Sequence, residues 1–244
     1  MSARPLVSCL CVTENRPEFI PWLAWNFAKQ DYPVRELVIV DSSPEPTCAD
    51  GDFVTNYDRR FGALGARVIH VAPGTSVAEK RNIAMREAAG SIFTWWDDDD
   101  WQHPLRLSLT ADAVTTARPL CGNAKSYFMN LRTGLVRSYT THGLIFNSLG
   151  VVSWIARAVP FRDTPHEDTP HLRMLLKHHQ ATATVFERPL FFWLCHDRNL
   201  ENTEDRGKFV TSRSVLRDAV GRWWEDTDDA LDALVAALAK RQRS

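Results

Sequence analysis

The chain has 244 residues, enough for one large α/β domain with or without a C-terminal helical appendage, and either buries a sizeable core. Its 29 Lys and Arg stand against 30 Asp and Glu for a formal charge of −1, which excludes a global field drawing it to nucleic acid or anionic lipid, though a local basic patch stays open. Five cysteines, Cys9, Cys11, Cys48, Cys121 and Cys195, form no CxxC pair, so a zinc site or redox couple is not expected and buried thiols in a reducing compartment are.

Met1 to Pro5 lead straight into a short strand, with no long apolar leader or cleavage site, so a cytosolic protein is expected. No run approaches the roughly 18 apolar residues of a membrane span; the strongest candidate, Leu190 to Cys195, is strand length. Leu6 to Val12 is a continuous apolar run, as expected of a strand buried on both faces. Pro17 then opens a segment with Phe19, Ile20, Leu23, Ala24 and Phe27 at helical spacing. Leu37 to Val40 is the next strand, ending at Asp41, and Val68 to Val71 is a third. Ser76 and Glu79 make a capping-box start for a helix through Ala89, and Ile92 to Trp96 is the fourth strand. This order predicts a mostly parallel sheet covered by helices, with ligands gathering at the carboxyl ends of strands, where Thr13, Asp41 and Asp97 fall.

Beyond Pro104 a helix to about Ala117 is expected, then strand-like stretches at Ser126 to Met129, Leu135 to Tyr139 and Val151 to Ile155. Glu167 and Asp168 introduce a helix carrying Leu172, Leu175 and Leu176. Thr182 to Phe186 and Phe191 to Cys195 read as closing strands. Leu231, Leu234, Val235 and Leu238 place a last amphipathic helix near the C-terminus, whose basic end, Lys240 to Arg243, complements the helix dipole. Most of the nine tryptophans are expected in the core, several on a ligand.

Asp97 to Asp100 are four consecutive carboxylates directly after an apolar strand. Two carboxylates about 4 Å apart repel by roughly 4 kcal/mol at an effective dielectric near 20, so such a run calls for a cation. Mg²⁺ or Mn²⁺ takes oxygen ligands from one or two carboxylates and completes its shell with waters and phosphates. The competing reading is a solvated turn in which one aspartate caps the following helix. Strand-like alternation sends Asp97 and Asp99 to one side and Asp98 and Asp100 to the other, an Asp-x-Asp arrangement that leaves Asp100 as a helix cap.

Three segments, "VSCLCVTENRP" (Val7 to Pro17), "LVIVDSSP" (Leu37 to Pro44) and "SVAEKRNIAMREAAGSIFTWWDDDDW" (Ser76 to Trp101), resemble the nucleotide-binding half of family 2 glycosyltransferases with the GT-A fold. "HEDTPHLRMLL" (His166 to Leu176) resembles the acceptor-side Glu-Asp motif of that family, and "HDRNLEN" (His196 to Asn202) its closing His motif. The resemblance implies a GT-A domain over residues 1–205, a Rossmann-like, mostly parallel mixed sheet flanked by helices. Residues 1–103 would be the nucleotide-sugar half and 104–205 the acceptor half, with a C-terminal helical extension over 206–244.

By the same resemblance, Thr13, Glu14, Asn15 and Arg16 lie against the donor's base and Asp41 accepts a hydrogen bond from the base imide. A carboxylate can take the uracil N–H and would meet only an acceptor at the matching position of cytosine, which favours a UDP-sugar. The family often has an aromatic residue where Glu14 stands. Arg81 reaches the nucleotide or its phosphates, to which its fixed fork of donors is suited, while neighbouring Lys80 reads as a solvated surface charge. Asp97 contacts ribose or metal, Asp98 assists, Asp99 ligates the Mn²⁺ or Mg²⁺ that bridges the diphosphate, and His196 is a further metal or diphosphate ligand. The inverting mechanism needs a carboxylate to deprotonate the acceptor hydroxyl, and Asp168 is that base, with Glu167 contacting acceptor or donor sugar.

Each residue also has a bland reading: a turn aspartate for Asp41, a helix-face ion pair with Glu79 or Glu87 for Arg81, first-turn dipole acids for Glu167 and Asp168. Nucleotidyl transfer fits less well, because Thr13 to Arg16 stand where a Gly-rich phosphate loop would be, and a catalytically silent nucleotide-sugar-binding module is the third possibility. The acceptor is open among saccharide, lipid-linked glycan and protein hydroxyls. A hydroxymethylated base in DNA is a further possibility, for which Arg206, Lys208, Arg213, Arg217 and Arg222 would supply a phosphate-contacting patch.

Overall fold

The computed structural model describes residues 4–47, 65–196, 208–209 and 213–241. Cys48, residues 197–202 of the closing His motif and Arg206 lie outside them.

Among the described residues, seven strands form one sheet in the order β10-β6-β9-β4-β1-β2-β3. They are β1 (Val7–Thr13), β2 (Arg35–Asp41), β3 (Ala66–His70), β4 (Ile92–Trp95), β6 (Leu120–Asn123), β9 (Gly150–Val152) and β10 (Thr184–Phe186). β1 pairs in parallel with β2 and β4, and β2 with β3, whereas β9 runs antiparallel between β4 and β6. The amino-terminal half is therefore the expected parallel unit and β9 makes the whole sheet mixed. Period-two alternation divides its side chains: Cys9, Cys11, Leu37 and Ile39 pack with helix Ile20–Ala28 and Leu107, while Leu10, Val38 and Val40 pack with helix Val77–Glu87. Fully buried on both faces, these strands read as largely apolar runs.

Several boundaries differ from the sequence reading. The first helix begins at Ile20 rather than at Pro17, with Pro21 in its first turn, where a missing N–H costs nothing. The helix after Pro104 spans Arg106–Ala113 and stops where Val114 turns extended. Ser153 to Ile155 are not strand: helix Ser153–Ala158 follows β9 at once, against the β-branched run that suggested otherwise.

A second, five-stranded sheet has the order β12-β8-β7-β11-β5, formed by β5 (Trp101–Gln102), β7 (Lys125–Asn130), β8 (Val136–Thr140), β11 (Phe191–Cys195) and β12 (Lys208–Phe209). Trp101, Met129, Phe192 and Leu194 share a core with Phe19 and Trp22 and with Leu216, Trp224, Leu231 and Leu234 of the C-terminal helices. Those helices are thus the cover of the second sheet. Cys9, Cys11, Cys121 and Cys195 are buried thiols, and burial pushes Cys121 up to about 12. Trp22, Trp95, Trp96, Trp101 and Trp224 are core residues. No described helix is long and apolar enough to cross a membrane.

Candidate active site

β1, β2 and β4 end side by side. Register places Thr13 opposite Asp41, and the chain leaving β4 makes the turn Asp97 to Asp100 before entering β5. The aspartates therefore join the two sheets. β5 pairs with β11, with Trp101 opposite Phe192, so β11 delivers His196 to the same turn.

Because the aspartates lie in a turn and not in a strand, their side chains do not alternate. Asp98 and Asp99 share one partner: Arg16 Nη1 lies 2.9 Å from Asp98 Oδ1 and 2.8 Å from Asp99 Oδ2. Asp98 Oδ2 accepts the Thr13 hydroxyl at 2.6 Å, and His196 Nε2 stands 3.1 Å from Asp99 Oδ2. Asp97 and Asp100 share Asn147, whose amide donates to Asp97 Oδ2 and, at 3.3 Å, to Asp100 Oδ2. The expected 97/99 and 98/100 pairing is replaced by 98/99 and 97/100. Nor does Asp100 cap the next helix: it is 3% exposed, and the residue before that helix, Leu105, carries no side-chain cap.

The electrostatics follow from burial. Asp98 is pushed up to about 6 by desolvation and the Asp99 charge, against Arg16 and the Thr13 hydroxyl. Desolvation also raises Asp97, with Asp99 and Asp168 adding to it and Arg81 opposing, and it lifts Asp100 well above the carboxylate range. Burial would raise Asp99 too, but the His196 hydrogen bond and Arg16 hold it below its ordinary value. Of the four aspartates, Asp99 alone is lowered.

Arg81, the fifth residue of helix Val77–Glu87, does not pair with Glu79 or Glu87. Its Nε lies 3.2 Å from Glu167 Oε1, its Nη2 3.8 Å from Asp97 Oδ1, and its guanidinium lies over Phe146 and Phe161, 4.7 and 5.5 Å from their centroids. Glu79 takes Arg86 instead, while its N–H donates to Ser76 Oγ in the predicted cap. Glu167 immediately precedes helix Asp168–His179, and Asp168 is its first residue, half-buried, with its charge felt at Asp97. Glu167 and the aspartate turn, far apart in sequence, meet through Arg81.

The loop after β1 is braced from below. Asn15 adopts φ 55°, and its N–H is held by Ser43 Oγ at 2.7 Å. Asp41 is fully buried, with Oδ1 accepting the Ser43 N–H and hydroxyl and Oδ2 the Thr47 N–H and hydroxyl. A carboxylate has about four acceptor positions, so an incoming base N–H has to replace one of these donors.

Lys80 is not a solvated charge. It is 2% exposed, and its Nζ reaches Ser42 Oγ at 2.8 Å, Glu14 Oε2 at 3.1 Å and the Thr13 carbonyl at 3.3 Å, tying the β1 and β2 loops together. The signal was present in the spacing: Lys80, Ala84 and Ala88 recur at i, i+4 and i+8 on the buried face. Two further residues carry no sequence signal. Asn147 comes from a 3₁₀ turn, and Arg106 is wholly buried beneath it, donating to Gln102 and Thr94, to the Trp95 carbonyl at 2.9 Å and to the Asn147 carbonyl at 2.7 Å. Desolvation lowers Arg106 to about 10, and the carboxylates above it oppose that.

Carboxylate oxygens and one imidazole are a donor set suited to Mn²⁺ or Mg²⁺. Among the described residues no three His, Cys, Asp or Glu side chains stand ready as a cage, so an ion here would take one or two carboxylates and fill its shell from phosphates. The turn fits such an ion on those terms.

Of the arginines expected to make a phosphate patch, Arg206 lies outside the described residues and two have visible partners. Arg213 pairs with Asp228 at 2.9 Å and Asp232 at 2.7 Å on helix Trp224–Arg241, and Arg222 lies over the Trp223 ring.

The architecture is of the GT-A type. The model of the family described as Glycosyl transferase family 2 matches residues 8–182, and the chain belongs to that family. Among solved structures, it is similar to S. aureus TarS 1-349 in complex with UDP-GlcNAc: TM-score 0.57, 15% identity, 79% of this chain and 59% of that one. It is also similar to the mannosyltransferase PcManGT from Pyrobaculum calidifontis in complex with GDP-Man and Mn²⁺: TM-score 0.56, 16% identity, 100% of this chain and 76% of that one. Against a longer TarS structure the chain spans 36% of the length. A search of curated proteins finds no match.

Proposed function

We propose that the protein transfers a sugar from a nucleoside-diphosphate sugar, in the first instance a UDP-sugar, to a hydroxyl acceptor with inversion at the anomeric carbon. The observation that carries this reading is the Arg81 bridge, which sets Asp97 of the metal-type turn beside Glu167 and Asp168 of the acceptor side. In the reaction the acceptor oxygen bonds to the anomeric carbon from the face opposite the diphosphate. The bond from that carbon to the diphosphate oxygen breaks, and the oxygen keeps the electron pair. Asp168 takes the acceptor's proton, Glu167 orients the sugar or acceptor, and Arg81 faces the phosphates.

Asp99 and Asp97, with His196, would hold Mn²⁺ or Mg²⁺, which when bound acts as a Lewis acid for the leaving diphosphate. Thr13 to Arg16, Asp41 and Asp98 form the nucleotide side. The uridine preference requires Asp41 to exchange one of its turn donors for the uracil N–H. The similar structures carry UDP-GlcNAc and GDP-Man, which supports a nucleotide-sugar donor without choosing the base.

For the acceptor, a glycan or other non-nucleic hydroxyl is the better reading, since Arg213 is already paired with acids. Binding to duplex DNA at low salt would overturn that choice. A thermal-shift panel of UDP, GDP, CDP and dTDP, with and without Mn²⁺, tests the donor. A metal-requiring shift confined to one nucleotide, lost in Asp99→Ala, is the expected result, and no shift with any of them refutes the reading.

A further inference from the structure

One edge of the aspartate turn is bridged by a cation that the chain itself supplies. Arg16 Nη1 sits between Asp98 Oδ1 and Asp99 Oδ2, and the second of these oxygens is the one that also faces His196. A guanidinium at hydrogen-bond distance and a hard divalent ion want the same lone pairs.

The arginine is built into this position. The left-handed Asn15 turns the chain just ahead of it, and its carbonyl accepts the Phe19 N–H at 3.0 Å. Its guanidinium lies 5.8 Å from the centroid of the Phe19 ring, which is fully buried and packs on the His196 ring at 4.6 Å. Phe19 thus seats both partners of Asp99. The other oxygen of Asp98 is held by Thr13, which keeps that carboxylate aimed at the arginine.

Charge points the same way. The 97/100 half of the turn faces Asn147, which is neutral, and the more distant Arg81, whereas the 98/99 half has a cation in direct contact. Arginine's planar fork pairs with phosphate as readily as with carboxylate, so an arriving diphosphate offers it an alternative partner within the same site.

We propose that Arg16 is an internal counter-cation that competes with a divalent ion for Asp99, and that it passes from Asp98 and Asp99 to the donor's diphosphate, so that metal and donor bind together. The second half of this statement rests on the glycosyl-transfer reading; the competition for Asp99 does not.

The test titrates Mn²⁺ alone, without nucleotide, into the wild-type protein, Arg16→Gln and Arg16→Lys, following the signal of the free aquo ion by electron paramagnetic resonance. Circular dichroism checks that each variant is folded. Arg16→Gln is expected to bind Mn²⁺ at least about tenfold more tightly than wild type, the equivalent of roughly 1.4 kcal/mol. Arg16→Lys keeps a charge but loses the fork, and is expected to bind about threefold more tightly. Unchanged or weaker Mn²⁺ binding in whichever variant folds overturns the competition. The nucleotide panel reads the other half: its failure with a positive Arg16 effect removes the donor reading and leaves the counter-cation standing.

Discussion

Lys80→Met separates a buried brace from a surface charge. The methionine keeps much of the apolar stem and deletes the ammonium that reaches Ser42, Glu14 and the Thr13 carbonyl. Hydrogen bonds to a charged group contribute about 1.5–3 kcal/mol each, but three such terms do not add here. The Thr13 carbonyl keeps the Ser42 N–H at 3.3 Å, and the Glu14 side chain is 41% exposed, so water replaces much of what it loses. Removing the ammonium also relieves its own desolvation. What remains is chiefly the fully buried Ser42 hydroxyl and the slack between two loops, a loss of about 2 kcal/mol. For a chain of this length that lowers Tm by about 4–8 °C. Urea unfolding measures the first quantity, and titration with UDP or GDP is expected to show about tenfold weaker binding as the loops loosen. Stability within about 0.5 kcal/mol of wild type, the level of an ordinary surface substitution, would refute the buried brace.

Asp168→Asn should leave the nucleotide Kd unchanged and lower kcat by about 10²–10⁴, and near-normal turnover would remove Asp168 as the base. Asn147→Ala strips the shared amide from Asp97 and Asp100 and should cost about 1–3 kcal/mol in urea unfolding; a neutral result would mean these acids do not depend on it. His171, 2% exposed and stacked on Phe161 at 3.9 Å, is lowered by burial to about 3, so between about pH 6.5 and 3 the unfolded chain binds a proton that the native one does not. Stability from this group is present above pH 6.5 and is lost on acidification. Between pH 7.5 and 5 the wild type should therefore lose about 2 kcal/mol more than His171→Phe, and parallel pH profiles would contradict a neutral buried imidazole.

The elements whose signal is local were legible in the sequence. β1, β2 and β4 announce themselves as largely apolar runs because both faces of their sheet are covered. Ser76 caps its helix as its spacing requires, since that bond spans only three residues. The family resemblance supplied the GT-A architecture and the segments that converge on the site. The Ser153 helix was misread because β-branched residues favour a strand only weakly against tertiary context.

The segments that converge in the fold could be picked out along the chain: the loop after β1, the end of β2, the start of helix Val77–Glu87, the aspartate run, and the acids at 167 and 168. How their side chains pair depended on the three-dimensional arrangement. Four consecutive aspartates in a strand would alternate, but the step from β4 in one sheet to β5 in the other forces a turn, and the turn pairs Asp98 with Asp99 and Asp97 with Asp100. Lys80 became a brace, Arg16 a counter-cation and Arg81 a bridge through partners dozens of residues away. The reason is physical: propensity and periodicity are properties of a few neighbouring residues, whereas the burial of a charge is set by whichever distant groups the fold brings to meet it.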